Sequence, residues 1–115
     1  MIWVIDDQGY VTIEMILGSE HDIKGFTLPA DALAALAKEH PDIIFLDYQM
    51  PGMNGLEVLD QLQSRGIDVP VVMCSSEPVE SLRAEALRRG AIDYISKGSA
   101  DYVEEITAAY NKFAR

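Results

Sequence analysis

Five short, mainly apolar runs recur along the chain and predict five β-strands. They cover residues 1–5, 21–26, 43–46, 69–74 and 92–96. The first, third and fourth runs are continuous rather than alternating, which is typical of strands buried on both faces of a parallel sheet. The second run is more polar and contains Lys24 and Gly25, as an edge strand should.

Helical patterns separate the predicted strands. The first covers residues 10–17, and the others begin near Pro29, Asn54, Pro78 and Ser99. The third start has the clearest signal, because Glu57 follows Asn54 by three residues and the two side chains can form a capping box. The fifth helix is predicted to bury one apolar face at helical spacing, formed by Val103, Ile106, Tyr110 and Phe113.

Strands and helices therefore alternate five times along the chain. Alternation at this spacing predicts an α/β fold in which right-handed crossovers build a doubly wound parallel sheet, covered by helices on both sides. One common strand order of such a doubly wound sheet is 2-1-3-4-5. A chain of 115 residues fits one compact domain, so residues 1–115 are predicted to form a single domain without an output domain.

Composition narrows the classes of partner. The chain has 9 basic and 19 acidic residues and a formal net charge of −10, which disfavours direct binding of nucleic acid and of anionic membranes. No apolar run approaches the roughly 20 residues of a membrane helix. The single cysteine, Cys74, cannot form an internal disulfide. We therefore expect a cytoplasmic protein.

Charged side chains follow three of the predicted strands. Asp6 and Asp7 follow the first, Asp47 follows the third, and Lys97 follows the fifth. In an open α/β sheet, ligands bind beyond the carboxyl ends of the strands, where the strand order reverses. For the order 2-1-3-4-5, this point lies between strands 1 and 3. The topology thus predicts one site built from residues far apart in sequence.

Electrostatics predicts a divalent cation at this site. Two carboxylates about 5 Å apart repel each other by roughly 3 kcal/mol at an effective dielectric constant near 20. A hard cation with oxygen ligands relieves the repulsion, and Mg²⁺ suits one or two carboxylates together with waters and a phosphate. We assign Asp7 and Asp47 as direct ligands, Asp6 as a ligand directly or through a water, and the backbone carbonyl of Gln49 as a further ligand.

The same residues suit phosphoryl chemistry. The Asp47 carboxylate can attack phosphorus and form an acyl phosphate, and a cation screens the repulsion between the attacking and transferred oxygens. Lys97 would place a fixed positive charge on the phosphoryl oxygens. Ser75, at the end of the fourth strand, can donate a hydroxyl hydrogen bond to the same group.

These residues resemble the motifs of the receiver domain of two-component response regulators, and the resemblance covers essentially the whole chain. The matching positions are Asp6, Asp7, Asp47, Met50, Pro51, Gly55, Ser75, Tyr94 and Lys97. The resemblance implies a flavodoxin-like (βα)5 fold, with a 2-1-3-4-5 sheet like that of a chemotaxis receiver.

The resemblance also implies a function. A histidine kinase, a phosphotransfer protein or a small phosphodonor would phosphorylate Asp47 in the presence of Mg²⁺. Ser75 would then move toward the phosphate and Tyr94 would turn inward. The surface formed by the fourth helix, fifth strand and fifth helix would change its binding to a downstream protein or to a second copy of the chain.

Alternatives remain open at this point. A pseudo-receiver would keep the fold as a protein-binding module without phosphoryl transfer. A Mg²⁺-dependent phosphatase or transferase would need a substrate pocket and a second acid or base, so we expect self-phosphorylation and autodephosphorylation but no reaction on an external substrate. Gly98 follows Lys97 where the family often has proline, usually after a cis bond. A cis bond before a residue other than proline costs about 2.5–4 kcal/mol, which disfavours it here and leaves the path of the following loop open.

Overall fold

The computed structural model describes residues 1–8, 11–76 and 80–115. Strands and helices alternate along these residues, as predicted. The elements are β1 Ile2–Ile5, α1 Val11–Leu17, β2 Ile23–Phe26, α2 Pro29–Ala35, β3 Ile43–Asp47, α3 Gly55–Ser64, β4 Val71–Ser75, α4 Glu80–Arg88, β5 Asp93–Ser96 and α5 Tyr102–Phe113. The predicted helix starts at positions 10 and 78 lie outside the described residues.

The sheet is parallel and has the strand order β2-β1-β3-β4-β5, which confirms the predicted doubly wound, flavodoxin-like topology. In the register of the central strands, Ile5 pairs with Leu46 and Asp47 pairs with Cys74. Strands β1, β3 and β4 are buried along their whole length, whereas β2 is half-buried at one edge. The continuous apolar runs therefore correctly predicted buried central strands, and the more polar run correctly predicted an edge strand.

Helices cover both faces of the sheet and create two apolar clusters. Trp3, Ile44 and Leu46 lie in the cluster that includes residues of α2, α3 and α4. Alternate strand residues such as Val4 and Phe45 lie in the other cluster, with residues of α1 and α5. Successive side chains of a strand point to opposite faces, so a sheet packed on both sides needs apolar residues at every position.

Local signals at the helix ends largely agree with the structure. The Asn54 side chain accepts a hydrogen bond from the Glu57 N–H at 3.0 Å, and Glu57 Oε1 accepts one from the Asn54 N–H at 3.1 Å, so the capping box is confirmed. Gly66, beyond the end of α3, has a φ of 67°, a value that favours glycine. No cis peptide bond occurs among the described residues, and the Lys97–Gly98 bond is trans.

One predicted apolar face was wrong at its first position. Val103 is 53% exposed, whereas Ile106 and Ala109 are buried against the sheet. The first turn of α5 instead packs Tyr102 against the core. No helix among the described residues has the length and apolar character needed to cross a membrane.

We expect Asn54→Ala to lower the free energy of unfolding by about 1 kcal/mol, because the mutant loses the side chain that accepts the Glu57 N–H at the start of α3. Chemical denaturation monitored by circular dichroism measures this change. Glu57→Gln is the matched control, since its amide oxygen can still accept the Asn54 N–H. If Asn54→Ala were as stable as the wild type, the Asn54 cap would not contribute to the free energy of unfolding.

Candidate functional site

Three acidic side chains meet where β1 and β3 end. Asp6 and Asp7 directly follow β1, and Asp47 is the last residue of its neighbour β3. One carboxylate oxygen from each of the three lies within 4.8 Å of the others. Asp47 is only 7% exposed, and Asp6 and Asp7 are half-buried. The structure thus brings together the residues that the topology predicted to be neighbours.

Lys97 completes this cluster from the end of β5. Its Nζ donates to Asp6 Oδ2 at 2.9 Å and lies 3.1 Å from Asp47 Oδ1. Its backbone N–H donates to the carbonyl of Ser75 at 2.8 Å, so the lysine is fixed at the end of β4 as well. One ammonium group faces three carboxylates, and the cluster therefore keeps negative charge that a further cation can neutralise.

The two neighbouring acids at the end of β1 are not equivalent. Asp6 Oδ1 accepts the backbone N–H of Gln8 at 2.9 Å, while Oδ2 accepts the Lys97 ammonium. Asp7 has a longer contact of 3.4 Å from Gln8 Nε2. Asp7 therefore keeps more of its lone pairs available for another ligand than Asp6 does.

An open cavity of about 380 Å³ exposes the cluster to solvent. Its lining consists of Asp7, Gln8, Asp47, Gln49, Met50, Pro51, Ser76 and Lys97. Gln49 belongs to this lining and is exposed to solvent. Lined by carboxylates and an ammonium group, the cavity suits a small charged group with a cation, not a large apolar ligand.

The two serines at the end of β4 differ in their exposure. Ser75 is 1% exposed and is not part of the cavity lining, whereas its neighbour Ser76 is. Sequence reasoning missed Gln8 as a lining residue, although Gln8 directly follows the selected pair Asp6 and Asp7. The same strand end that pointed to the acidic pair would have pointed to Gln8 if the candidate segment had been extended by one residue.

Tyr94 lies in β5 and is 8% exposed, within the apolar cluster that includes residues of α2, α3 and α4. It is therefore already directed inward in this structure. The predicted inward turn has little burial left to gain from this conformation.

Burial and charge shift the titration of the cluster. Burial raises the pKa of Asp47, and the nearby Lys97 ammonium only partly opposes this. Burial disfavours the charged form of Lys97, but its bonds to Asp6 and Asp47 outweigh that effect and raise its pKa. Burial also raises the pKa of Cys74 to about 12, which keeps its thiol protonated in the core.

Gly55 holds the loop after Asp47 against β3. Its N–H donates to the carbonyl of Tyr48 at 2.8 Å. A Cβ atom at this position would lie only 2.6 Å from the Asp47 carbonyl oxygen and 2.8 Å from the terminal methyl of Met73. Only glycine lets α3 start this close to the strand that presents Asp47.

A parallel sheet of this order, with clustered acids and a lysine at its switch point, defines the receiver class of α/β domains. The model of the response regulator receiver domain matches residues 2–110, and the chain belongs to this family. Receiver domains generally bind Mg²⁺ at an acidic pocket, and Asp6, Asp7 and Asp47 form an acidic cluster in this chain. They interact with kinases and with downstream effectors.

Curated relatives agree with this assignment. The DNA-binding transcriptional regulator NtrC of Escherichia coli K12 is 32% identical over 100 residues, which cover 84% of this chain and 21% of NtrC. The response regulator MprA of Mycobacterium ulcerans is 33% identical over 119 residues, covering 99% of this chain and 50% of MprA. The chain spans half or less of the length of these two relatives.

Solved structures agree as well. The receiver domain of NtrX from Brucella abortus is 28% identical with a TM-score of 0.82, and the match covers 97% of this chain and 96% of that one. The response regulator domain of CheB from Thermotoga maritima is 28% identical with a TM-score of 0.76, covering 97% and 91%.

We expect Asp47→Asn to raise the free energy of unfolding at neutral pH in buffer without divalent cations. The pKa of Asp47 is raised in the folded state, so its ionisation costs stability above that pKa. The wild type therefore regains stability as the pH falls toward the ordinary carboxyl pKa, and the difference between the two proteins shrinks. Urea denaturation between pH 7 and pH 4 measures this trend.

The control is Asp31→Asn, which changes an exposed acid in the first turn of α2. It should not show the same gain at neutral pH. A loss of stability in Asp47→Asn at neutral pH would contradict the electrostatic interpretation of the cluster.

Proposed function

We propose that Asp47 accepts a phosphoryl group and that its phosphorylation switches the surface formed by α4, β5 and α5. The observation that carries this proposal is the ammonium group of Lys97, held 3.1 Å from a buried Asp47 carboxylate. A lysine at this place can neutralise a phosphoryl oxygen as soon as one arrives. Its charge cannot satisfy all three carboxylates, which supports a metal requirement.

The donor set fits Mg²⁺, because the cluster offers hard carboxylate oxygens beside an open cavity. Asp7 and Asp47 would hold the ion directly, together with the backbone carbonyl of Gln49. Asp6 would act through a water, since its oxygens already accept Gln8 N–H and Lys97. When bound, the ion supplies charge neutralisation for the phosphoryl oxygens.

The transfer forms one bond and breaks one. A carboxylate oxygen of Asp47 attacks phosphorus, and the bond from phosphorus to the donor breaks. The bonding pair leaves with the imidazole nitrogen of a phosphohistidine or with the acyl oxygen of a small phosphodonor. Lys97 keeps its charge throughout and orients the transferred group. Ser75 would donate its hydroxyl hydrogen bond after a local movement, because it is buried behind the cavity.

The partners follow from this chemistry. A histidine kinase or phosphotransfer protein would supply the phosphoryl group. A downstream protein would bind the surface of α4, β5 and α5 in a phosphorylation-dependent way, with Ser75 and Tyr94 as the switch residues. A second copy of the chain could use the same surface to form a homodimer.

The net charge of −10 argues against direct contact with nucleic acid or membrane, and a cytoplasmic location fits such partners. Residues 1–115 would act as one receiver domain.

Incubation with Mg²⁺ and acetyl phosphate should give a single phosphoryl adduct, because the cluster positions one buried nucleophile beside Lys97. Intact-protein mass spectrometry detects the adduct. Asp47→Asn should abolish it and a chelator should block it, whereas the surface control Asp31→Asn should behave like the wild type. Absence of an adduct on the wild-type protein would favour a pseudo-receiver that binds partners without phosphoryl transfer.

Magnesium should stabilise the fold through the same cluster. A concentration of about one hundred times the Kd should add about 2.7 kcal/mol to the free energy of unfolding. Asp7→Asn should remove most of this gain, and Asp6→Asn should remove less. Denaturation with and without Mg²⁺ measures the difference. A reversed order of the two variants would contradict the assignment of Asp7 as the direct ligand.

A further inference from the structure

A second groove lies at the opposite end of the sheet from the acidic cluster. The loops that precede β3 and β4 form it together with the end of α2. It has a volume of about 580 Å³, which is within the range of about 300–1,000 Å³ typical of small-molecule sites. No residue of the proposed phosphoryl chemistry lines this groove.

The floor of the groove is apolar. Leu33 of α2 and Leu36, which directly follows α2, line it, and both are buried in the cluster that includes residues of α2, α3 and α4. Ile67, in the loop before β4, packs against the same cluster and is half-buried. Core packing thus fixes the apolar residues of the groove, so the groove exists before any ligand binds.

The end of α3 gives the groove open space. A Cβ atom at Gly66 would meet no heavy atom within 4 Å beyond its chain neighbours. The Gly66 N–H donates to the Gln63 carbonyl at 3.1 Å, and the Ile67 N–H donates to the Leu62 carbonyl at 3.0 Å. These two bonds form a Schellman motif that closes α3. Because backbone N–H groups already bind these carbonyls, the helix end does not need a basic side chain as a partner.

Arg65 is the basic residue of the groove lining. Its side chain is exposed, and within residues 1–8, 11–76 and 80–115 no hydrogen bond or ion pair holds its guanidinium group. By contrast, Arg88, Arg89 and Arg115 each pair with a carboxylate of the chain. A planar guanidinium that binds no acid of its own chain is available to a carboxylate ligand, which it can hold through two parallel hydrogen bonds.

The other polar residues of the lining do not cancel this positive charge. The Asp68 carboxylate lies 3.1 Å from Arg115 Nη1, which also donates to the Asp68 carbonyl at 2.8 Å, so the charge of Asp68 is already compensated. His40 is exposed in the groove, and an imidazole N–H can donate to a further acceptor.

The groove is also screened from the acidic cluster. The five residues of β3 separate the two ends of the sheet by roughly 16 Å. This distance exceeds the screening length of about 8 Å at physiological ionic strength. The local charge at Arg65 therefore decides which ligand the groove attracts, although the chain as a whole carries −10.

We propose that this groove binds a small organic carboxylate. The apolar body of the ligand would lie on Leu33, Leu36 and Ile67. Its carboxylate would pair with Arg65 and accept the His40 N–H. Charge complementarity selects this class of ligand, because a neutral apolar molecule would leave the guanidinium group without a partner and an ammonium ligand would meet a like charge.

Octanoate is a suitable probe, and octanol and octylamine are matched ligands with the same apolar body but no negative charge. A titration followed by amide chemical shifts in NMR spectra should show saturable binding of octanoate that shifts the amides of residues 33–40 and 65–68. Octanol and octylamine should bind at least about tenfold more weakly, the factor expected for one charge-assisted hydrogen bond. Equal binding of the three ligands, or shifts confined to other residues, would overturn the proposal.

Variants at exposed positions test the site without disturbing the core. Arg65→Ala should weaken octanoate binding about tenfold, and Arg65→Lys should weaken it less, because an ammonium group keeps the charge but not the planar fork. Arg88→Ala, which removes an exposed arginine of α4, should bind octanoate like the wild type. Wild-type affinity in Arg65→Ala would contradict the assignment of the carboxylate partner.

A second pair of variants tests the location of the site. Ala37→Glu should abolish octanoate binding, because it places a negative charge in the groove lining, whereas Ala34→Glu changes an exposed residue outside the lining and should have no such effect. Equal affinities of these two variants would place the ligand elsewhere and overturn the proposal. So would an acidic, leucine-containing peptide that shifts the groove amides when octanoate does not, because the groove would then be a protein-docking surface.

The groove and the proposed phosphoryl site can be tested separately. Asp47→Asn should bind octanoate like the wild type, since the groove lies at the other end of the sheet. Failure to form a phosphoryl adduct on Asp47 would therefore leave the carboxylate site standing. Failure of the wild type to bind octanoate would overturn the carboxylate site and leave the proposed function of Asp47 unaffected.

Discussion

The balance of charge between Lys97 and three carboxylates is the interaction on which the rest of this structure depends. Each carboxylate lies at or directly beyond the end of a buried strand, where water is partly excluded and repulsion is strong. The lysine relieves some of this repulsion from the far end of β5 and in doing so fixes that strand to the centre of the sheet. The remaining negative charge favours a cation, which supports the proposed Mg²⁺ site.

The packing around this cluster explains how a few charges can be held so close together. Strands β1 and β3 are buried on both faces, so their ends have little freedom to separate. Gly55 brings α3 against the residue after Asp47, and the Asn54 cap fixes where that helix begins. The apolar core therefore supplies the rigidity that electrostatic repulsion would otherwise oppose.

In the proposed switch, β5 connects the acidic site with the surface formed by α4, β5 and α5. Lys97 directly follows its carboxyl end, and Tyr94, whose carbonyl accepts a hydrogen bond from Arg83 Nη1 of α4, lies near its start. Within the described part of the chain, β5 pairs with a strand on one side only, so its position relative to α4 depends on side chains and not on a second backbone ladder. Such an edge is easier to move than the central strands, and this suits it to carry a signal.

The sequence alone determined the alternation of elements, the sheet order and the acidic cluster, since burial on both faces requires continuous apolar strands and since topology places strand ends together. It also predicted the capping box, which is set by residues three positions apart. Tertiary structure decided what depends on distant partners. The Asp6 carboxylate accepts hydrogen bonds from Lys97 and from the Gln8 N–H. Ser75 is buried while Ser76 lines the cavity, and Arg83 of α4 donates to the backbone of β5. These outcomes depend on side-chain geometry between elements, which no local pattern encodes.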